Sequence, residues 1–285
     1  TRTGVGTTVS DSALRRLPTI NRNFTEIVLT TPQVSITDAS GGQSPRISAM
    51  GVNNRYNAIQ IDGAAESDLF GLGATGQPGG QANGKSIGLE SVKEYQVLLT
   101  PFDVRQGSAA GALINAVTKS GTNSLSGNLY WVNRNETLTR DRPFIPTYEQ
   151  TQYGFTLGGP IIKDKVHFFV NPEFQTRINP ARGPFLGGTG PAALYVDTAV
   201  INRFGRILRD SFDIDPGDAT FRTNDNPLTN FFGRLDVQLP WRSRLVLRHN
   251  YGGADIDVFS RDLPTGGTPT LNLTSQEYLF TSKKN

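Results

Sequence analysis

From residue 124 onward, apolar residues alternate with polar or small ones, the pattern that a strand with two unlike faces requires. The clearest run is 231–239. Phe231, Gly233, Leu235, Val237 and Leu239 take one set of alternate positions, and Arg234, Asp236 and Gln238 take the other. Similar runs at 125–132, 153–157, 166–174, 245–251 and 278–281 bring the expected strands to about six, near the ~10-residue segments of an outer-membrane barrel. The connections are unequal. Residues 162–165 and 240–243 read as tight turns, whereas 137–147, 178–228 and 252–274 read as long loops. Short turns at one end and long loops at the other are what a transmembrane β-barrel has, with the short turns periplasmic. A soluble β-sandwich also has half-buried strands, so periodicity alone leaves both architectures open. Inside the long middle loop, Val200, Ile201, Phe204, Ile207, Leu208 and Phe212 recur at helical spacing, which predicts an amphipathic helix over 197–212.

The first 121 residues read differently, as short mixed elements. Ser10 or Asp11 can cap a brief helix that Pro18 stops, and Asn21 or Asn23 a second one carrying Phe24, Ile27 and Val28 before Pro32. Short strands are expected at 46–50, 56–62, 94–99 and 112–119, each bounded by Gly, Pro or Asn. Between the second and third lies a long loop, 65–88, crowded with glycine and polar residues, and loops of that length are usually functional or disordered.

Composition narrows the classes. With 31 glycines and 17 prolines in 285 residues, the chain is turn-rich, well above the usual ~12% for the two together. It has no cysteine, which excludes a disulfide scaffold, a thiolate zinc site and a cysteine nucleophile. A net charge of +3 with no run of five like charges gives no nucleic-acid footprint. No apolar stretch approaches the ~20 residues of a membrane helix. The chain opens at Thr1 without a leader and closes inside an expected strand, so it reads as a portion of a longer protein whose signal peptide lies outside it.

Several motifs match a chemistry by spelling alone. Residues 79–86 satisfy the phosphate-loop pattern, with Lys85 for the β/γ-phosphates and Ser86 for magnesium, but 71–78 cannot be the buried strand such a loop follows. Gly71, Gly73 and Gly76 spell GxGxxG, yet Pro78 and two glycines stand where the helix should begin. Asp213, Asp215 and Asp218 resemble a calcium loop with its glycine one place early and Asn224 where the bidentate Glu belongs. His167 and His249 have no acid or nucleophile at a recognisable spacing, and read as lumen or interface residues. Trp131 and Trp241 suit either an aromatic girdle or a packed core. No catalytic residue, metal or cofactor is expected.

Two stretches carry a family likeness. Residues 56–63 (YNAIQIDG), 87–97 (IGLESVKEYQV) and 107–123 (GSAAGALINAVTKSGTN) resemble the plug domain of TonB-dependent outer-membrane receptors. Residues 154–165 (GFTLGGPIIKDK), followed by 166–170, look like an early barrel hairpin of the Oar-like subgroup. The resemblance implies an α+β plug at 1–121, followed at 122–285 by the first antiparallel transmembrane strands of a 22-stranded barrel, with 178–228 as a long extracellular loop. It also implies a bacterial outer-membrane location, contact with outer-membrane lipid, and import of an unknown extracellular ligand energised through TonB and the inner-membrane complex. The TonB-contacting segment is expected outside this chain. By the same resemblance the loop after Gly63 points outward, making Glu66, Asp68, Gln81, Asn83 and Lys85 candidate ligand contacts. Two other functions stay open: a structural or adhesive barrel that transports nothing, and a soluble phosphate-loop nucleotide-binding protein.

Overall fold

The structure, a computed structural model, describes residues 5–17, 19, 22–37, 46–68, 76–99, 101, 111–138, 148–189, 193–261 and 271–284. Strand β1 (Val5–Ser10) runs into helix α1 (Asp11–Arg16), which carries Asp11 in its first turn and Arg15 and Arg16 in its last, as the helix dipole favours. Helix α2 (Phe24–Val28) buries Phe24, Ile27 and Val28. A hairpin of β2 (Val34–Thr37) and β3 (Arg46–Ala49) follows, then β4 (Ala58–Ile61), β5 (Ala64–Ala65), β6 (Val92–Leu99) and β7 (Ala112–Thr118). Five of these strands form one sheet in the order β1-β6-β7-β4-β5, antiparallel except where β4 lies parallel to β7. Its central strand, β7, is apolar in nearly every position because it is covered on both faces.

The second half is a wall of long strands: β8 (Ser126–Asn135), β9 (Glu149–Ile162), β10 (Val166–Pro180), β11 (Thr223–Asp225), β12 (Leu228–Gln238), β13 (Arg244–Val258) and β14 (Tyr278–Lys284), with helix α3 (Thr198–Phe212) between β10 and β11. Every pairing is antiparallel, in the order β14-β13-β12-β10-β9-β8, and β11 adds to the far end of β10. All six expected strands are present, and β9, β10 and β13 run several residues further into the long-loop end than the alternation suggests. Helix α3 begins where expected: the Asp197 side chain caps it by accepting from the Ala199 amide at 2.9 Å.

Which face points where separates the two architectures left open above. The polar residues Gln152, Asn171, Glu173, Gln175, Asn230 and Asp236 are buried against the N-terminal sheet. Leu129, Trp131, Tyr153, Phe155, Phe174, Phe231, Leu245 and Leu247 point away from it, with Leu129 82% and Trp131 67% exposed. A soluble sandwich turns its apolar face inward, whereas this wall turns it outward, as lipid demands. Trp131 lies opposite Tyr153, which stacks on Phe174 at 5.5 Å, and Phe231 lies opposite Tyr251, so an aromatic belt crosses five neighbouring strands. Trp241 stands in a tight turn at the other end, 94% exposed. Between these levels run about eight to ten residues of strand, which at ~3.3 Å each and a tilt near 45° span roughly 20 Å, close to the ~25 Å apolar band of such barrels. Among the described residues no helix is long and apolar enough to cross a membrane.

The two halves share one core. Val92, Tyr95, Val97 and Ile114 of the N-terminal sheet cluster with Phe169 of β10 and Phe232 of β12, whose rings lie 6.2 Å apart. The connection between the halves passes so close to the wall that a Cβ on Gly121 would lie 2.2 Å from the Phe168 carbonyl oxygen and 2.8 Å from that of Gly159. Only glycine fits there.

Candidate functional site at the apex loop

The glycine-rich segment 76–91 is a tight, ordered apex. Gly79 and Asn83 adopt left-handed conformations (φ 75° and 55°) on either side of a 3₁₀ turn over Gly80–Ala82. The Gly84 amide donates to the Gly79 carbonyl at 2.9 Å. Gln77, fully buried, laces the loop from within: its Nε2 donates to the Gly84 carbonyl at 3.0 Å, and its Oε1 accepts from the Ser86 amide at 3.1 Å. A phosphate cradle needs such amides free and aimed at a ligand. Here they are committed inside the loop, no strand among the described residues runs directly into it, and the second helix feature is only a 3₁₀ turn at Leu89–Ser91. The phosphate-loop reading is therefore a coincidence of spelling. Residues 71–75 of the GxGxxG match lie outside the described residues.

The wall seats this loop through a row of amide side chains. Asn83 Nδ2 donates to Asn226 Oδ1 at 3.2 Å, and Asn226 Nδ2 to the Ala82 carbonyl at 2.9 Å. Asn230 Nδ2 donates to the Lys85 carbonyl at 2.9 Å, and Asn250 donates to that of Ser86. Below them Lys85 Nζ donates to Glu173 Oε1 at 3.2 Å, with the two side chains 4% and 0% exposed. Tyr130 of β8 donates to the other Glu173 oxygen at 2.8 Å, and Ser91 donates to Asn171 at 2.8 Å. Burial pushes the Lys85 ammonium below its ordinary range, and the Glu173 carboxylate pulls the other way. The wall approaches the loop closely here: a Cβ on Gly88 would stand 3.0 Å from Asn171 Oδ1.

The five candidate contacts thus fall into two groups. Asn83 and Lys85 are buried and hold the loop to the wall. Glu66, Asp68 and Gln81 are half-buried; Glu66 pairs with Lys284 of β14, and the Asp68 amide closes the neck of the loop on the Gly76 carbonyl at 2.9 Å. Glu173, Asn171, Asn226 and Asn230 were not singled out from the sequence. Their alternate positions in β10 and β12 placed Glu173, Asn171 and Asn230 on the polar face, but nothing in the sequence named their partners.

Elsewhere, His167 contacts Asn123 at 2.8 Å, and His249 lies on the outward face beside Phe231. Asp215 accepts from Arg209 and from the Gly217 amide, both at 3.0 Å, and Asp218 accepts from Thr220. These carboxylates are occupied in loop structure, and among the described residues no cluster of three or more His, Cys, Asp or Glu could hold a metal.

At the long-loop end the connections are knotted around one guanidinium. Arg261, 4% exposed, donates to the carbonyls of Asn272 (2.8 Å), Thr220 (3.0 Å), Pro184 (3.3 Å) and Asp218 (3.4 Å), and lies 4.6 Å over the Phe259 ring.

Comparison with known proteins agrees with this architecture. The family model described as TonB-dependent Receptor Plug Domain matches residues 3–113, and that described as Outer membrane beta barrel domain matches 117–193. The TonB-dependent transporter Oar of Myxococcus xanthus is 29% identical over 209 residues, 66% of this chain and 18% of that protein. A probable TonB-dependent siderophore receptor of Acinetobacter baumannii is 25% identical over 167 residues, 56% of this chain and 21% of that protein. Among solved structures, the ferric enterobactin receptor of Pseudomonas aeruginosa superposes with a TM-score of 0.53 at 16% identity, covering 99% of this chain and 46% of that one. The outer membrane transporter YddB of Escherichia coli gives 0.53 at 13%, covering 98% and 42%. The chain therefore spans about a fifth of the curated relatives and less than half of these structures, whose likeness shows the fold. With both family models in chain order, an apolar face turned outward and a polar one closed on the N-terminal sheet, the chain carries a TonB-dependent receptor plug domain followed by strands of an outer-membrane β-barrel.

Proposed function

We propose that the protein of which this chain is part imports an extracellular ligand across the outer membrane by energised displacement of the plug, with no covalent chemistry. In this reading residues 1–121 are the plug, 122–285 open a barrel expected to have 22 strands, and 178–228 form an extracellular loop. TonB and its inner-membrane complex supply the pull through a segment outside the chain. The observation that carries the reading is the seating of the apex loop: the wall holds it by side-chain amides and one ion pair, contacts that can be exchanged for water without breaking any sheet. Glu66, Asp68 and Gln81 are the proposed ligand contacts on the resting apex, and Asn83 and Lys85 join them once the loop leaves the wall.

These 285 residues hold no cysteine, so a thiol introduced at the apex is unique within them. Ser86 is 5% exposed and its hydroxyl has no hydrogen-bond partner, which makes Ser86→Cys close to isosteric. In cells of the native host expressing the full-length receptor, an impermeant maleimide is expected to label this cysteine faster when TonB is present than in a strain lacking it. Equal, slow labelling in both strains would favour a structural or adhesive barrel whose plug stays put.

A further inference from the structure

A second polar site lies away from the apex, where the plug sheet meets β12 and β13 near the tight turn between them. A cavity of ≈ 530 Å³ opens there, lined on the plug side by Asp62, Lys93, Thr118 and Ser120 and on the wall side by Arg234, Arg244 and Arg248. Its volume falls within the ~300–1,000 Å³ of small-molecule sites. Four cationic side chains face it against two carboxylates, Asp62 in the lining and Asp236 behind it, and both carboxylates are already engaged. Asp62 accepts from the Thr118 amide (2.8 Å) and hydroxyl (2.7 Å) and from Arg248 Nη1 at 2.8 Å. Asp236, 3% exposed, takes Arg234 in a two-pronged pair at 2.9 and 3.1 Å, and Arg244 Nη2 at 2.5 Å.

The wall arginines differ in what they have left to offer. Arg234 also donates to the Thr118 hydroxyl at 2.6 Å, so its fork is committed. Arg244 and Arg248 each give one nitrogen to a carboxylate, which leaves the other N–H groups of each fork without a partner among the described residues. Lys93 is exposed and makes no ion pair among the described residues. The carboxylates thus fix the guanidinium planes while their outer N–H groups, with the Lys93 ammonium, stay available around one cavity. Preorganised forks of this kind match anions with two or more oxygens. We propose that this seam between plug and wall is a binding site for a compact oxyanion, a carboxylate-bearing or phosphate-bearing small molecule, distinct from the apex. Even-numbered residues of β12 and β13 point to the lumen, so the anion arrives through the barrel or from the periplasm and not from the lipid side.

The test is calorimetric titration of the full-length receptor in neutral detergent at low ionic strength, with succinate and with inorganic phosphate as separate probes. Saturable binding of either is the expected result, and which one binds identifies the anion class. Arg244→Gln and Lys93→Gln should each weaken it about tenfold, the loss of one charge-assisted hydrogen bond. Among the described residues Lys93 forms no ion pair, so that variant is expected to fold as the parent does. Arg55→Gln, on an exposed turn remote from the cavity, should leave it unchanged. Absence of saturable binding for both probes, or an equal loss in Arg55→Gln, would overturn the proposal. Binding is read without energised cells, so its failure leaves the import reading standing.

Discussion

Replacing Lys85 by methionine is expected to loosen the apex loop by about 3–5 kcal/mol, the usual cost of removing one partner from a buried ion pair. Glu173 would keep its Tyr130 hydrogen bond but stand fully buried with no cation. Glu173→Gln should cost a similar amount by leaving the Lys85 ammonium unpaired. The double variant, Lys85→Met with Glu173→Gln, should recover most of the loss, because neither buried charge remains. Hydrogen exchange of amides 84–92 in the detergent-solubilised receptor reads this directly, since it follows the plug while the barrel stays folded. Additive losses in the double variant would mean that the two side chains act independently. The Glu173→Gln variant carries a pH signature as well. Burial already depresses the Lys85 ammonium, and without the carboxylate nothing opposes that push. The unseated loop then binds more protons than the seated one between the depressed value and the ordinary ~10.4 of lysine, so protection should rise with pH across that window and lie level at its minimum below it, where both states are protonated.

Arg261→Ala is the second large effect. Truncation would strand the carbonyls of Pro184, Thr220 and Asn272 around an emptied site, while that of Asp218 keeps the Thr274 amide, and a buried unsatisfied group costs about 1–3 kcal/mol. Gly183 has no slack to follow, since even a Cβ there would lie 2.2 Å from the Arg261 carbonyl oxygen. The expected result is rapid tryptic cleavage within 181–227 on intact cells, at Arg203, Arg206 or Arg209 of α3, with β12 and β13 still resistant. Arg261→Lys should be nearly as sensitive, because a single ammonium cannot reach four carbonyls that a planar fork spans. Cleavage at the parental rate in both variants would show that other contacts hold these loops.

How much of this was legible in the sequence depended on distance along the chain. The wall strands could be read because Phe231, Leu235 and Val237 alternate with Arg234 and Asp236 over a span where one side meets lipid and the other does not. The same logic lost the far ends of β9 and β10, where Gln150 and Arg177 lie beyond the apolar band, and of β13, where Ala254 and Ile256 alternate with Asp255 and Asp257 and it is the apolar set that packs inward. Strand β1 escaped notice because its pairing partner, β6, lies some 90 residues away and nothing local marks an edge strand. At the site, the glycines of 76–88 looked like slack. Their left-handed turns and the internal Gln77 brace make the loop rigid, and that depends on geometry no letter count contains. Lys85 is a candidate contact from the sequence because the family resemblance turns its loop outward; its partner Glu173 sits 88 residues on, in an element whose fold has first to be known.

The phenylalanine pair that closes the shared core has a consequence for how the molecule is made. Val92 and Tyr95 reach Phe232 only after some 140 residues have been synthesised and the β10–β12 pairing has formed, so the plug's own interior is unfinished until the wall exists. Contacts of such separation are slow to form, since a long loop must close before they return any free energy. A plug produced alone should therefore be a compact but fluid chain with its two missing rings replaced by water, and barrel insertion becomes the step at which plug order is acquired.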